Sequence, residues 1–274
     1  MADILTLTLS TLMSEPGLKR STSPSSSSTL LVGGRGISRS LLLLAAVTAA
    51  SELRVRVVFF TRTQIQSLPA PLQKRLPNQS PEGLKKITFC YPRTVEELLQ
   101  QVASLHDSPP PSLIVVDRLE DFLCAPGLHP GERSCAAHLS ALLCDTAAFL
   151  TQVLEQRPSG SAPCRILASY HSELDPGPAE ADDCPTDPVL DVLDRYFQIR
   201  CTLDQDRGYG AAAAGLQELW HIYVSGGEAT AWEDGPGGAQ DWQLLVSPSG
   251  SIEFKVVCKH HCRSTHQAHD LSPQ

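Results

Sequence analysis

The stretch LLVGGRGISRSLLLLAA (31–47) decides how the rest of the chain is read. A phosphate-binding loop has Gly, four residues, then Gly-Lys-Ser/Thr between a buried strand and a helix. Its backbone N–H groups cradle the phosphates, its lysine reaches the terminal phosphates and its hydroxyl holds magnesium. Here the register runs from Gly33 through Gly34 and Gly36 to Ser38, Arg39 and Ser40. Gly33 and Ser40 meet the pattern, whereas Ser38 stands in place of its second glycine. Arg39 replaces the lysine, keeping the charge on a wide planar group that does not interchange with an ammonium in a tight loop. A glycine- and serine-rich turn before a helix is also an ordinary turn, so the flanking segments have to settle the reading.

Those segments alternate. TLLVGG, a helix over 39–51, RVRVVFF, a helix over 94–106, SLIVVD, a helix over 134–156, CRILASY, a helix over 188–197 and QIRCTL follow in order. Short apolar runs separated by helical patterns predict an α/β fold, with mostly parallel strands joined by right-handed crossovers and helices on both faces. Thr94 and Glu97 form a reciprocal capping pair ahead of Val95, Leu98, Leu99, Val102 and Leu105, which share one helical face. Asp187 before Pro188 marks another helix start. The helix 134–156 is apolar almost all round, which predicts burial between the sheet and a neighbour. ELWHIYVSGG and DWQLLVSPSGSIEFKVV add antiparallel strands, with Ile252, Phe254 and Val256 on one face and Glu253 and Lys255 on the other. The expected organisation is a flexible Ser/Pro-rich lead-in (1–28), a P-loop domain (29–257; core 29–204, C-terminal strands 217–257) and a disordered tail (258–274).

SLIVVD ends in Asp117, at a strand's carboxyl edge, where a carboxylate holds a magnesium-bound water. An acidic residue closing a parallel strand also arises on structural grounds. Taken in order, however, the glycine turn and Asp117 predict a P-loop domain whose nucleotide residues are Gly33, Gly34, Gly36, Ser38, Arg39, Ser40 and Asp117, with Ser40 and Asp117 on the magnesium side. Hydrolysis needs a carboxylate or amide to orient the attacking water. After RVRVVFF the chain reads TRTQ, with Thr63 and no carboxylate. CRILASYH ends in His171, either a group that bonds a terminal phosphate or a loop histidine at the sheet edge.

Composition narrows the functional classes. The longest apolar run, LLLLAAVTAA (41–50), is too short to cross a bilayer, so no membrane span or membrane partner is expected. The first residues carry Asp3 and no basic flank, which predicts no secretory leader. Nine scattered cysteines fit a reducing compartment. The net charge of -8 argues against non-specific attraction to polyanions by the whole molecule. Residues 53–93 are the exception, with eight basic side chains against Glu82 alone. Lys74, Arg75, Lys85 and Lys86 are the candidates there for displacing counterions from nucleic acid, the alternative being a solvated loop. The loop after His171 carries Glu173, Asp175, Glu180, Asp182, Asp183 and Asp187, which repel a phosphate backbone. Cys258, Cys262, His266 and His269 would suffice for a tetrahedral zinc, but their spacing is not a recognisable zinc motif and no zinc is expected.

The order of P-loop, basic second strand, SLIVVD and a polar residue closing the fourth strand resembles the RecA-type recombinase core. VVFFTRTQIQSLP (57–69), LKKITFCYPRTVEELL (84–99), LIVVD (113–117), ALLCDTAAFL (141–150) and RYFQIRCTL (195–203) are similar to the recombinase paralogues that associate with SWIM-type zinc-finger proteins in the Shu complex. The resemblance implies a RecA-like ATPase fold, ATP with magnesium, and a nuclear, single-stranded-DNA-binding protein. It also implies a SWIM-type zinc-finger partner and support of recombinase filaments in homologous recombination and double-strand break repair. By position it places Gly33, Arg39 and Ser40 in the phosphate loop, Asp117 beside magnesium and His171 where recombinases sense the terminal phosphate. Thr63 falls where they carry the catalytic glutamate, so hydrolysis stays open. Two alternatives remain: a non-hydrolysing scaffold with a decayed nucleotide site, and a P-loop kinase of a small metabolite, ranked last because no cluster of lid arginines follows Asp117.

Overall fold

The computed structural model describes residues 7–9, 28–66, 69, 73, 81–123, 132–157, 162–172, 187–206, 208, 210–226 and 240–258. Their strands are β1 (Ser28–Gly33), β2 (Val57–Thr61), β3 (Ile87–Cys90), β4 (Leu113–Asp117), β5 (Arg165–Tyr170), β6 (Ile199–Gln205), β7 (Glu218–Ser225), β8 (Gln240–Val246) and β9 (Ile252–Cys258). They form one sheet in the order β3-β2-β4-β5-β1-β6-β7-β8-β9. β1 to β6 pair in parallel, and β7, β8 and β9 extend the sheet antiparallel. The expected α/β architecture and its antiparallel extension are both present.

The longer helices are α1 (Arg35–Ser51), α2 (Val95–Ala103), α3 (Glu132–Glu155) and α4 (Pro188–Tyr196). β2, β4 and β5 are buried along their whole length, which is why they read as unbroken apolar runs. Their side chains alternate between two cores. Leu31, Val57, Phe59, Leu113, Val115 and Leu167 face α1. Leu30, Val58, Phe60, Ile114, Val116 and Ile166 face α2, α3 and α4. At α2 half of the expected reciprocal cap is made: Glu97 N–H donates to Thr94 Oγ1 at 3.3 Å, while the Glu97 carboxylate accepts from Arg93 N–H at 2.7 Å, one residue before the N-cap.

Several expectations need correcting. α1 begins at Arg35 rather than at residue 39, because Ile37 turns into the α1 core and carries the preceding residues into helix. α3 is not buried all round: Ala136, Leu139, Leu143, Leu150 and Leu154 face the sheet, while Phe149 is 50% exposed. By length and composition α3 could cross a membrane, but its inward face is part of the sheet's core. Within the stretch expected to be a loose lead-in, Leu7, Thr8 and Leu9 form a buried helical turn, with Leu9 in the α1 core. β3 was not anticipated; it is a short strand with only half-buried and exposed residues at the sheet's edge. Of the zinc candidates only Cys258, closing β9, falls among the described residues; Cys262, His266 and His269 lie outside them.

Asp187 caps α4, as its place before Pro188 predicts, so the last charge of the acidic loop is committed to a helix start. Its Oδ1 accepts from Val189 and Leu190 N–H, and its Oδ2 accepts from the Tyr170 hydroxyl at 2.8 Å. The rest of that loop, 173–186, lies outside the described residues. Asp187→Ala removes the cap and leaves the Tyr170 hydroxyl without this acceptor. Urea denaturation of the variant should show a loss of about 1–2 kcal/mol, whereas Asp187→Asn should retain most of the stability.

Candidate functional site

Parallel strands deliver their carboxyl ends to one rim, and there the chain places Gly33 at the end of β1, Thr61 at the end of β2, Asp117 at the end of β4 and His171 after β5. Asp117 is fully buried, and its neighbour in register on β2 is Thr61. A buried carboxylate needs a cation close by. That cation is Arg39, reaching across from α1: its Nε donates to Asp117 Oδ2 at 2.8 Å, and its Nη2 donates to Thr61 Oγ1 at 2.9 Å and to Thr63 Oγ1 at 2.5 Å. Thr61 Oγ1 also donates to Asp117 Oδ2 at 3.0 Å. Asp117 Oδ1 has no hydrogen-bond partner among the described residues.

The remaining loop residues are held as tightly. His171 Nδ1 lies 3.0 Å from the Gly33 carbonyl oxygen, so this nitrogen carries the ring proton and donates it. His171 N–H donates to Glu120 Oε2 at 3.1 Å, while Glu120 Oε1 lies 3.5 Å from Arg35 Nε on the first turn of α1. Burial pushes the Glu120 carboxyl up to about 7, outweighing the Arg35 guanidinium and the hydrogen bonds from its own and the His171 backbone N–H. Arg118, in a left-handed backbone conformation (φ 60), donates through Nη2 to Thr63 Oγ1 and pairs with Asp121, both at 2.9 Å. A Cβ on Gly33 would lie 2.6 Å from the Leu203 carbonyl oxygen, and one on Gly34 would lie 2.3 Å from the Trp220 ring, so only glycine fits between the strands here.

These residues do not fit a magnesium nucleotide of the P-loop kind. The segment that should wrap the phosphates is already helix, with Ser38 N–H bonded to the Gly34 carbonyl. The Ser40 hydroxyl donates to the Gly36 carbonyl within α1. One oxygen of Asp117 belongs to Arg39, so the Arg39 guanidinium stands between that carboxylate oxygen and the place of a magnesium-bound water, leaving Oδ1 alone without a partner. The indole of Trp220 lies against Gly34, where the cradle would open.

The predicted nucleotide residues thus come together around the Arg39–Asp117 pair, with Asp117 Oδ1 and Ser38 Oγ buried and without hydrogen-bond partners among the described residues. Of the predicted nucleic-acid residues, the two that are described, Lys85 and Lys86, do not join them. Lys86 N–H and carbonyl groups precede β3, its carbonyl accepts from Val57 N–H, and its Nζ donates to the Arg54 carbonyl at 2.6 Å, so Lys85 and Lys86 sit at the opposite, amino edge of the sheet. Arg62 and Arg93 follow β2 and β3 at the carboxyl rim, which divides the basic region between two edges. Lys74 and Arg75 lie outside the described residues. Sequence reasoning missed Thr61, Arg118 and Glu120; their one shared signal is that each closes or follows a parallel strand.

A mostly parallel sheet with a glycine turn and a strand-end aspartate at one rim defines the RecA-like P-loop fold. Solved structures agree at the level of fold: a KaiC-like protein from Pyrococcus horikoshii OT3 matches with a TM-score of 0.54 and 11% identity, covering 84% of this chain and 89% of that one. The RadB recombinase matches with a TM-score of 0.53 and 14% identity, covering 83% and 90%. No family model matches the chain. Among curated proteins, the mouse ATPase SWSAP1 is 38% identical over 180 residues, covering 65% of this chain and 58% of its own length. The human ATPase SWSAP1 is 34% identical over 180 residues, covering 65% of this chain and 71% of its own length. The chain belongs to the SWSAP1 family.

Glu120 holds its proton in the folded chain at pH values where the unfolded chain has already lost it. Stability therefore falls as pH rises from about 4.5 through about 7. Glu120→Gln should flatten that slope and gain about 1–3 kcal/mol relative to the parent at pH 8, measured by denaturant titration at pH 5 and pH 8.

Proposed function

We propose that this chain is an accessory factor of homologous recombination that acts as a non-hydrolysing RecA-like scaffold in the nucleus. In this reading it belongs to a Shu-type complex, binds single-stranded DNA and a SWIM-type zinc-finger protein, and supports recombinase filaments during double-strand break repair. Membership of the SWSAP1 family and the fold shared with a recombinase support the recombination assignment. The observation that carries the scaffold assignment is the Arg39 guanidinium bonded to Asp117, Thr61 and Thr63, an internal cation where an ATPase would place its metal and phosphates. Thr63 at the position of a catalytic carboxylate supports the same conclusion. A working ATP site would require Arg39 to leave Asp117, which would strand a fully buried charge.

Two experiments test this reading. Labelled MgATP at millimolar concentration should not bind the chain, and turnover with single-stranded DNA should stay at background. In parallel, Arg39→Ala should destabilise the fold by about 3 kcal/mol or more, as expected for removing one partner of a buried pair. Saturable ATP binding lost in that variant without loss of stability would instead mark a functioning nucleotide site. For DNA, charge reversal at Lys74, Arg75, Lys85 and Lys86 should weaken single-strand binding and shallow its salt dependence, and co-purification with a SWIM-type zinc-finger protein tests the partner.

A further inference from the structure

Thr63 occupies an unusual electrostatic position. Its Oγ1 accepts from two guanidinium groups at once, Arg39 Nη2 at 2.5 Å and Arg118 Nη2 at 2.9 Å. A hydroxyl oxygen has two lone pairs and no charge, so it satisfies the geometry of both cations while neutralising neither. Arg62, next in the chain, brings a third guanidinium to the rim, its Nη1 donating to the Asp121 carbonyl at 2.7 Å. The carboxylates facing this group are Asp117, which pairs with Arg39 and accepts from Thr61, and Asp121, which pairs with Arg118, so each guanidinium has one carboxylate and still turns an Nη2 donor to Thr63. Arg118 Nε is buried without a hydrogen-bond partner, and the residue holds a left-handed backbone conformation that aims its side chain at Thr63. Thr63, on a bend, and Gln64 after it are both exposed and outside any helix or strand.

We propose that Thr63 is a phosphorylation site whose phosphate is gripped by Arg39 and Arg118 at the rim of the closed loop. A phosphothreonine carries close to two negative charges and three acceptor oxygens, the complement of two converging forks. The co-reactants are ATP and a serine/threonine protein kinase of the class that reads a glutamine directly after its target, here Gln64. Thr63 Oγ1 attacks the γ-phosphorus, an O–P bond forms, the bond from that phosphorus to the bridging oxygen of ADP breaks, and the hydroxyl proton passes to the kinase's base. The consequence lies at the same site: a phosphate on Thr63 competes with Asp117 for Arg39, so the modification loosens the ion pair that keeps the loop closed. The proposal rests on the closed-site reading only in that Arg39 is held by Asp117 rather than by a nucleotide.

The test uses the full chain without nucleotide. Phosphothreonine is installed genetically at position 63, and its second ionisation is followed by phosphorus NMR. It should titrate about one unit below the free value of about 6, returning most of the way in Arg118→Gln and part of the way in Arg118→Lys, which keeps the charge but loses the fork. Titration at the free value in the parent chain would overturn the grip, whatever the outcome of the ATP-binding measurements. Separately, a glutamine-directed kinase with ATP should place phosphate on Thr63 of the unmodified chain, read by mass spectrometry with Thr63→Ala as control. No phosphate at Thr63 while a peptide of residues 59–67 is labelled would overturn the site.

Discussion

The site depends on one constraint: Asp117 is a carboxylate with no exposure to solvent. Removing such a group from water costs several kcal/mol unless a cation and hydrogen-bond donors meet it. P-loop proteins that bind nucleotide meet that demand in part with a metal. Here the chain meets it alone, with Arg39 and the Thr61 hydroxyl both bonded to Oδ2. Once the guanidinium is committed, its Nη2 reaches Thr61 and Thr63, and the charge that would meet a ligand is spent within the protein.

The backbone around the pair is consistent with that commitment. Arg39 can span from α1 to β4 because α1 starts at Arg35, and it starts there because Ile37 has an apolar core to enter. The same early start removes the loop that would wrap a phosphate. From the other side, β6 brings Leu203 against Gly33, and the antiparallel β7 brings Trp220 against Gly34. The C-terminal strands thus do more than widen the sheet; they fix the glycine turn in its closed form. His171 completes the enclosure by donating to the Gly33 carbonyl while its own N–H rests on Glu120.

Much of the fold was legible in the sequence, for a physical reason. Strands buried on both faces must be apolar throughout, so VVFFT and LIVVD stand out between helices. ITFC did not, because an edge strand with an exposed face carries no such demand. Asp117 was legible as a strand-end acid, yet the meaning of Arg39 was not: a motif shows that a lysine is missing, not what the arginine has found instead. That contact joins residues 78 apart in the chain, and those of Arg118 and Glu120 span 55 and 51. The basic region misled for a related reason. Adjacent residues look like one patch, but a five-residue strand carries Arg56 and Arg62 to opposite edges of the sheet.

The most direct test of the account follows the Arg39 Nε–H proton by NMR, with its resonance assigned through Arg39→Lys. The account predicts slow exchange with solvent and a chemical shift unchanged by millimolar MgATP, because that proton belongs to the buried Asp117 carboxylate. Rapid exchange, or a shift that follows nucleotide concentration, would contradict it and reopen the loop as an ATP site.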